Sequence, residues 1–174
     1  MKTLKEMTLK EKIGQLVMCG FTSLEYNDHI RMLVDEWACG NVILFSRNFD
    51  NANQLKKLDR DIHNNIMART GIMPFISIDQ EGGQVTRLFK DATFPAGAMS
   101  TAASSVEHAP YYNARIIGRD MINLGINMNL APSLDVNNNL DNPSINVRSF
   151  SSDPKTVAVC GREYIKGLRE YGVM

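Results

Sequence analysis

Phe75-Ile76-Ser77-Ile78-Asp79-Gln80-Glu81-Gly82-Gly83-Gln84-Val85-Thr86-Arg87 is the stretch on which the reading of the fold turns. Gly71 and Pro74 introduce a short run of β-branched and aromatic residues, which two carboxylates and a Gly-Gly pair then cut off. The pattern predicts a buried strand running straight into a polar loop. In an α/β protein the carboxyl end of such a strand is where ligands bind. The glycine pair permits backbone conformations closed to other residues and lets a ligand approach closely.

Upstream, Thr8-Leu9-Lys10-Glu11 has the form of a capping box, and Leu9, Ile13, Leu16 and Val17 follow at helical spacing. A first helix is expected from Thr8, grading into a short strand over residues 17–21. Ile30, Leu33, Val34 and Trp37 share one face of a second helix, with Gly40 placed to end it. Val42-Ile43-Leu44-Phe45 then reads as a strand buried on both faces, closed by Ser46-Arg47-Asn48. Asn51 or Asn53 can cap a third helix with Leu55, Leu58, Ile62 and Ile66 inward. Downstream, residues 89–103 read as a long loop, and Ser104-Ser105-Val106-Glu107 offers a second capping box for a helix carrying Ile117, Met121 and Leu124 to Gly125. Residues 127–132 alternate as a short strand, and residues 133–152 form a loop rich in Asn and Asp. Asp153-Pro154 opens a last helix with Val157, Cys160, Tyr164 and Leu168 inward. About four strands alternating with five helices give the βαβ pattern of a parallel sheet, so the fold class is α/β.

At 174 residues the chain is one domain by length, with 19 basic and 19 acidic side chains. Its isoelectric point is near neutral, so no field draws it to nucleic acid or to anionic lipid, and a small polar partner is expected. Cys19, Cys39 and Cys160 are odd in number, far apart and among apolar neighbours, the pattern of reduced core thiols rather than a disulfide or zinc framework. The N-terminus mixes charges where a signal peptide needs an apolar core, and no run reaches membrane-spanning length. A cytoplasmic protein is expected.

Asp79 and Glu81 could be an acid and base, or could bind polar groups of a ligand. Two residues apart on one loop they sit on the same side of a substrate, so at most one could be catalytic in a scheme that needs opposite faces. Glu81 is expected to brace the loop. Arg87 and Arg148 lie beyond two different strands, and each could aim a planar donor fork at hydroxyls or a carboxylate, or could pair with a nearby acid. His29, His63 and His108 fall in or beside helices without metal-ligand spacing, and no phosphate loop or nucleophile-elbow serine is present. No metal and no cofactor is expected.

These residues resemble a known family. Ser77-Ile78-Asp79-Gln80-Glu81-Gly82-Gly83 leading to Val85-Thr86-Arg87, Asn129-Leu130-Ala131-Pro132-Ser133-Leu134-Asp135-Val136-Asn137, and Asn142-Pro143 leading to Arg148-Ser149-Phe150 are similar to glycoside hydrolase family 3. Within it they most resemble the bacterial β-N-acetylhexosaminidases; residues 9–16 match the family's first helix and residues 41–45 its second strand. The resemblance implies a (β/α)8 barrel of TIM type that removes terminal β-linked N-acetylglucosamine, from peptidoglycan or chitin fragments, with retention. It implies that Asp79, Arg87 and Arg148 hydrogen-bond the sugar at the non-reducing end, and that Asp135 orders the adjoining loop.

The family's next strand leads into a Lys-His-(Phe or Ile)-Pro-Gly-His-Gly loop that supplies the histidine acid/base, and a later strand supplies the aspartate nucleophile. Neither segment occurs in these 174 residues, against roughly 250 for a typical barrel. The expectation is therefore an incomplete barrel of about four βα units, residues 1–174 being its amino-terminal part, with no catalytic residue and no activity in isolation. The alternative is a non-catalytic sugar-binding or structural half-barrel that pairs with a second chain. An open sheet edge and zero net charge predict self-association or pairing with the missing half.

Overall fold

The computed structural model describes all 174 residues and divides into two compact units. The first is Met1–Ile78 with Leu124–Met128, and the second is Asp79–Asn123 with Asn129–Met174.

The first unit alternates helix and strand: α1 (Leu9–Gly14), β1 (Met18–Cys19), α2 (Asp28–Trp37), β2 (Asn41–Leu44), α3 (Ala52–Thr70) and β3 (Phe75–Ile78). One sheet runs β1, β2, β3 and then β4 (Met128–Asn129), so strands successive in sequence are neighbours in space. β1 pairs with β2 and β2 with β3 in parallel, Met18 opposite Asn41 and Asn41 opposite Phe75, as a βα barrel requires. The α/β expectation is met. Val42 and Leu44 of β2 are buried with Ile76 and Ile78 of β3, and Leu55, Leu58, Ile62 and Ile66 of α3 are buried with them. Asn51 caps α3 by accepting the Gln54 N–H, and Gly71 ends it at φ 71. Beside β3, the Asn127 side chain takes the Ile76 N–H at 2.8 Å and gives its amide to the Pro74 carbonyl at 2.9 Å. It supplies bonds that a longer strand backbone would otherwise make.

Three features of this unit differ from the sequence reading. The capping box of Thr8 and Glu11 forms, yet Leu9, Ile13 and Leu16 of the apolar stripe are 74%, 54% and 87% exposed, and Trp37 of α2 is 64% exposed. Helical spacing identifies an apolar face without saying what lies against it. Helix α2 ends at Ala38, in the left-handed region at φ 55, two residues before Gly40. Gly40 serves a different need, since a Cβ there would stand 2.2 Å from the Gln15 side chain. Cys19 and Cys39, far apart in the chain, come to 3.2 Å between their sulfurs, although all three cysteines are free.

The second unit holds α4 (Ala98–Ala102), α5 (Ala109–Leu124) and α6 (Pro154–Arg169). Helix α4 lies inside the stretch expected to be loop. The Ser104 box does not form; its hydroxyl accepts from the Val106 N–H in a local turn, and His108 at φ 58 delays the helix to Ala109. Asp153 caps α6 as expected, accepting from the N–H groups of Lys155 and Thr156. Helices α5 and α6 pack closely through glycine: a Cβ on Gly167 would stand 2.4 Å from the Tyr111 carbonyl oxygen. Ile117 and Met121 of α5 are buried, as are Val157, Tyr164 and Leu168 of α6. No helix is long and apolar enough to cross a membrane.

Candidate functional site

The loop that leaves β3 is fastened by Gln80, which is 2% exposed. Its side-chain oxygen accepts the backbone N–H groups of Arg87 and Leu88 at 2.8 and 3.2 Å. Its own backbone N–H donates to Asn129 Oδ1 at 3.0 Å, and its carbonyl accepts from Asn129 Nδ2 at 3.0 Å and from the Tyr164 hydroxyl at 3.1 Å. Burial pushes the Tyr164 phenol well above its ordinary pKa, which keeps it a donor. With Gln80 turned inward, the carboxylates on either side of it each meet an arginine.

Between Glu81 and Val85 the chain reverses, and the N–H groups of Glu81 and Gly82 both reach the Val85 carbonyl, at 2.9 and 3.1 Å. Gly82 and Gly83 take φ 96 and 59, as the sequence suggested for this pair. The close neighbour there is the chain itself. A Cβ on Gly82 would lie 2.2 Å from the Ala96 carbonyl oxygen, and the Gly83 N–H bonds Pro95 at 3.0 Å.

Arg87 reaches back to Asp79, Nη2 to Oδ2 at 3.1 Å. Arg148 grips Glu81 with two prongs, Nε to Oε2 at 2.9 Å and Nη2 to Oε1 at 2.6 Å, and gives Nη1 to the Ser144 carbonyl at 2.8 Å. The Glu81 side chain is 9% exposed, while Asp79, Arg87 and Arg148 keep 24%, 30% and 31% of theirs. The hydrogen bond to Glu81 raises the pKa of Arg148, and the charges of Asp79 and Asp135 add to that effect. Two acids and two guanidinium groups thus form one neutral cluster. Asp135 is exposed; its carbonyl accepts the Ser149 hydroxyl at 2.6 Å and its carboxylate the Ser133 hydroxyl at 3.2 Å, contacts that order the loop.

Both arginines therefore pair with nearby acids, one of the two outcomes left open by spacing. Pairing does not exhaust them, because each guanidinium has five N–H donors and each carboxylate spare lone pairs. A hydroxyl both donates and accepts, so alternating guanidinium and carboxylate edges suit a polyol. Glu81, held on both oxygens, braces Arg148 instead of transferring protons. Within the second unit no histidine joins the cluster, since His108 pairs with Glu163 at 2.6 Å. A cavity of about 320 Å³ opens beside the Glu81–Arg148 pair, lined also by Gly83, Gly97, Met99 and Val147; Asp79 and Arg87 stand outside its lining. The sequence reading did not single out Gln80, Asn129 and Tyr164 as the fastening of this loop. The inward helical position of Tyr164 and the place of Gln80 between two outward acids were the available signals.

Residues 8–174 match the glycosyl hydrolase family 3 N-terminal domain. The chain is 37% identical over 147 residues to the beta-hexosaminidase A of Pseudoalteromonas piscicida, covering 82% of this chain and 25% of that one. It is 30% identical over 172 residues to a beta-N-acetylglucosaminidase/beta-glucosidase of Cellulomonas fimi, covering 98% of this chain and 29% of the relative. Its structure superposes on that of a family 3 beta-N-acetylglucosaminidase from Paenibacillus sp. str. FPU-7 with a TM-score of 0.93 at 44% identity, covering 96% of this chain and 32% of the other. The chain thus spans between a quarter and a third of these proteins.

Proposed function

Because the chain belongs to glycosyl hydrolase family 3, we propose that it carries the sugar-gripping part of an enzyme that removes terminal β-linked N-acetylglucosamine with retention of configuration. Asp79, Arg87 and Arg148 are the gripping side chains in this reading. The single observation that carries it is the cluster itself: one guanidinium bond from Arg87 to Asp79 and a two-pronged grip of Arg148 on Glu81, in the loop that follows a parallel strand and resembles the family's motif. Retaining hydrolysis needs an acid/base and a nucleophile on opposite sides of the scissile bond. Asp79 and Glu81 share one loop and Glu81 is bound on both oxygens, which supports a reading in which neither forms the catalytic pair and the acid/base and nucleophile are supplied by other segments. Peptidoglycan and chitin fragments are the substrate class. Three free thiols support a cytoplasmic place of work.

The purified chain, given a chromogenic N-acetyl-β-glucosaminide, is expected to show no turnover. N-acetylglucosamine is expected to bind it only weakly, with a Kd on the order of millimolar, since part of the pocket wall lies elsewhere. Asp79→Ala abolishes that binding. Turnover at the rate of a complete glycosidase, or binding indifferent to Asp79→Ala, overturns the reading. The exposed apolar side of α1 favours a second reading, in which the chain binds sugar without catalysis and pairs with a separate chain. Capture of a partner bearing the histidine loop distinguishes the two.

A further inference from the structure

In the first unit two cysteines twenty residues apart in the chain meet where β1 ends and β2 is about to begin. Cys19 is the last residue of β1, the strand at one end of the sheet order, and Cys39 stands two residues before β2. Their sulfurs share a hydrogen bond at 3.2 Å, and the Val17 and Asn41 carbonyls lie 3.6 and 3.5 Å from Cys39 Sγ. Both thiols line a cavity of about 280 Å³ whose other walls include Val17, Leu33 and Trp37. This is an apolar recess in which the two sulfurs are the reactive groups, large enough for a molecule the size of water or peroxide. No third metal-ligating side chain joins them, so the pair is not a tetrahedral zinc site.

The two thiols are unequal. The hydrogen bond between the two sulfurs lowers the Cys39 pKa to about 6, while the same contact and burial push Cys19 upward. A thiolate beside a protonated thiol is the arrangement in which one sulfur attacks an oxidant and the other resolves the product.

We propose that Cys19 and Cys39 form a redox modification site, a dithiol that a hydroperoxide such as hydrogen peroxide closes into a Cys19–Cys39 disulfide and that small thiols reopen. The Cys39 sulfur attacks one peroxide oxygen, the O–O bond breaks, and hydroxide leaves, giving a sulfenic acid on Cys39. The Cys19 sulfur then attacks the Cys39 sulfur, forms the S–S bond and expels the second hydroxide. The proton released when Cys39 ionises and the proton of Cys19 turn the two hydroxides into water. One peroxide is reduced by two electrons, and each sulfur gives up one. Closure shortens the separation from 3.2 Å to about 2.05 Å, a move of roughly one ångström shared between an end strand and the short turn from Ala38 to Gly40. The bond ties β1 to the turn that follows α2.

The test uses the unchanged chain. It is reduced, exposed to hydrogen peroxide at pH 7.4, blocked with N-ethylmaleimide, digested without reductant and weighed. The expected product is a Cys19 peptide joined to a Cys39 peptide, lighter by two hydrogens and separated again by dithiothreitol, while Cys160 remains alkylated. Free thiol is expected to disappear at the pair about tenfold faster than at Cys160. In Cys19→Ser the reaction stops at a Cys39 sulfenic acid that dimedone traps, and in Cys39→Ser the Cys19 thiol survives. Sulfinic acid on Cys39 of the unchanged chain, a link to Cys160, or three thiols alkylated equally overturns the proposal.

Discussion

Asp59 stands in the middle of α3, 1% exposed, with neither carboxylate oxygen meeting a hydrogen-bond donor, and burial pushes its pKa well above the usual carboxylate range. Its folded pKa thus exceeds its unfolded value of about 3.9. The proton it holds favours the fold below the unfolded value, and that contribution is lost as pH climbs toward the folded one. Asp59→Ala should therefore raise the unfolding free energy by about 1–3 kcal/mol at pH 8, with the gain shrinking toward pH 4. Urea titration at both pH values checks this, and a variant less stable than the parent at pH 8 refutes it. That residue 59 faces inward is legible, since it falls between Leu55, Leu58 and Ile62 on the apolar stripe. That it has no partner is not, because partners come from other segments. The same holds at the site. The positions of Asp79, Arg87 and Arg148 beyond strand ends could be read directly, whereas the division into Asp79 with Arg87 and Glu81 with Arg148 joins residues up to 67 apart. Arg148→Lys keeps the charge and loses the two-pronged grip. It should weaken N-acetylglucosamine binding by about tenfold or more in calorimetry, while Arg162→Lys on the exposed side of α6 leaves it unchanged.

Among the elements, β2, β3, α3 and α6 were legible because each carries its own signal: an unbroken apolar run, an Asn or Asp cap, a closing glycine. Helix α4 was not, since five residues without a side-chain cap make too short a period to recognise. The start of α5 was misplaced because a serine followed by glutamate also suits a local turn. The loop after β3 yields a comparison of two glycines. Gly82 and Gly172 both hold positive φ, 96 and 71, but a Cβ on Gly82 collides with the Ala96 carbonyl at 2.2 Å, while one on Gly172 meets nothing within 4 Å. Gly172→Ala should cost only the backbone strain of about 1 kcal/mol. Gly82→Ala adds the collision and should cost several-fold more, shift the loop that carries Glu81 and Arg87, and abolish sugar binding. Thermal unfolding of the two variants in parallel checks the ranking, and equal losses would mean that the 95–97 backbone yields without resistance.

For the molecule as a whole, the surface of the first unit decides the behaviour in solution. Leu9, Ile13 and Leu16 of the α1 segment are 74%, 54% and 87% exposed, and Trp37 of α2 is 64% exposed. With Lys10 and Glu36, three of these residues line one recess of about 600 Å³. Monomeric proteins rarely leave contiguous apolar surface of this kind to water. Net charge is zero, so there is little long-range repulsion to keep copies apart. The chain should therefore self-associate through α1, and raising salt should not dissolve the association, because apolar contact is not screened. Light scattering is expected to show mass rising with concentration in the unchanged chain. Ile13→Lys with Leu9→Glu places opposite charges in that recess without altering net charge, and should restore a monomer while leaving helical content intact, since both side chains already stand in water. A parent chain that remains monomeric at high concentration, or a double variant that associates as strongly as the parent, removes α1 as the sticking surface.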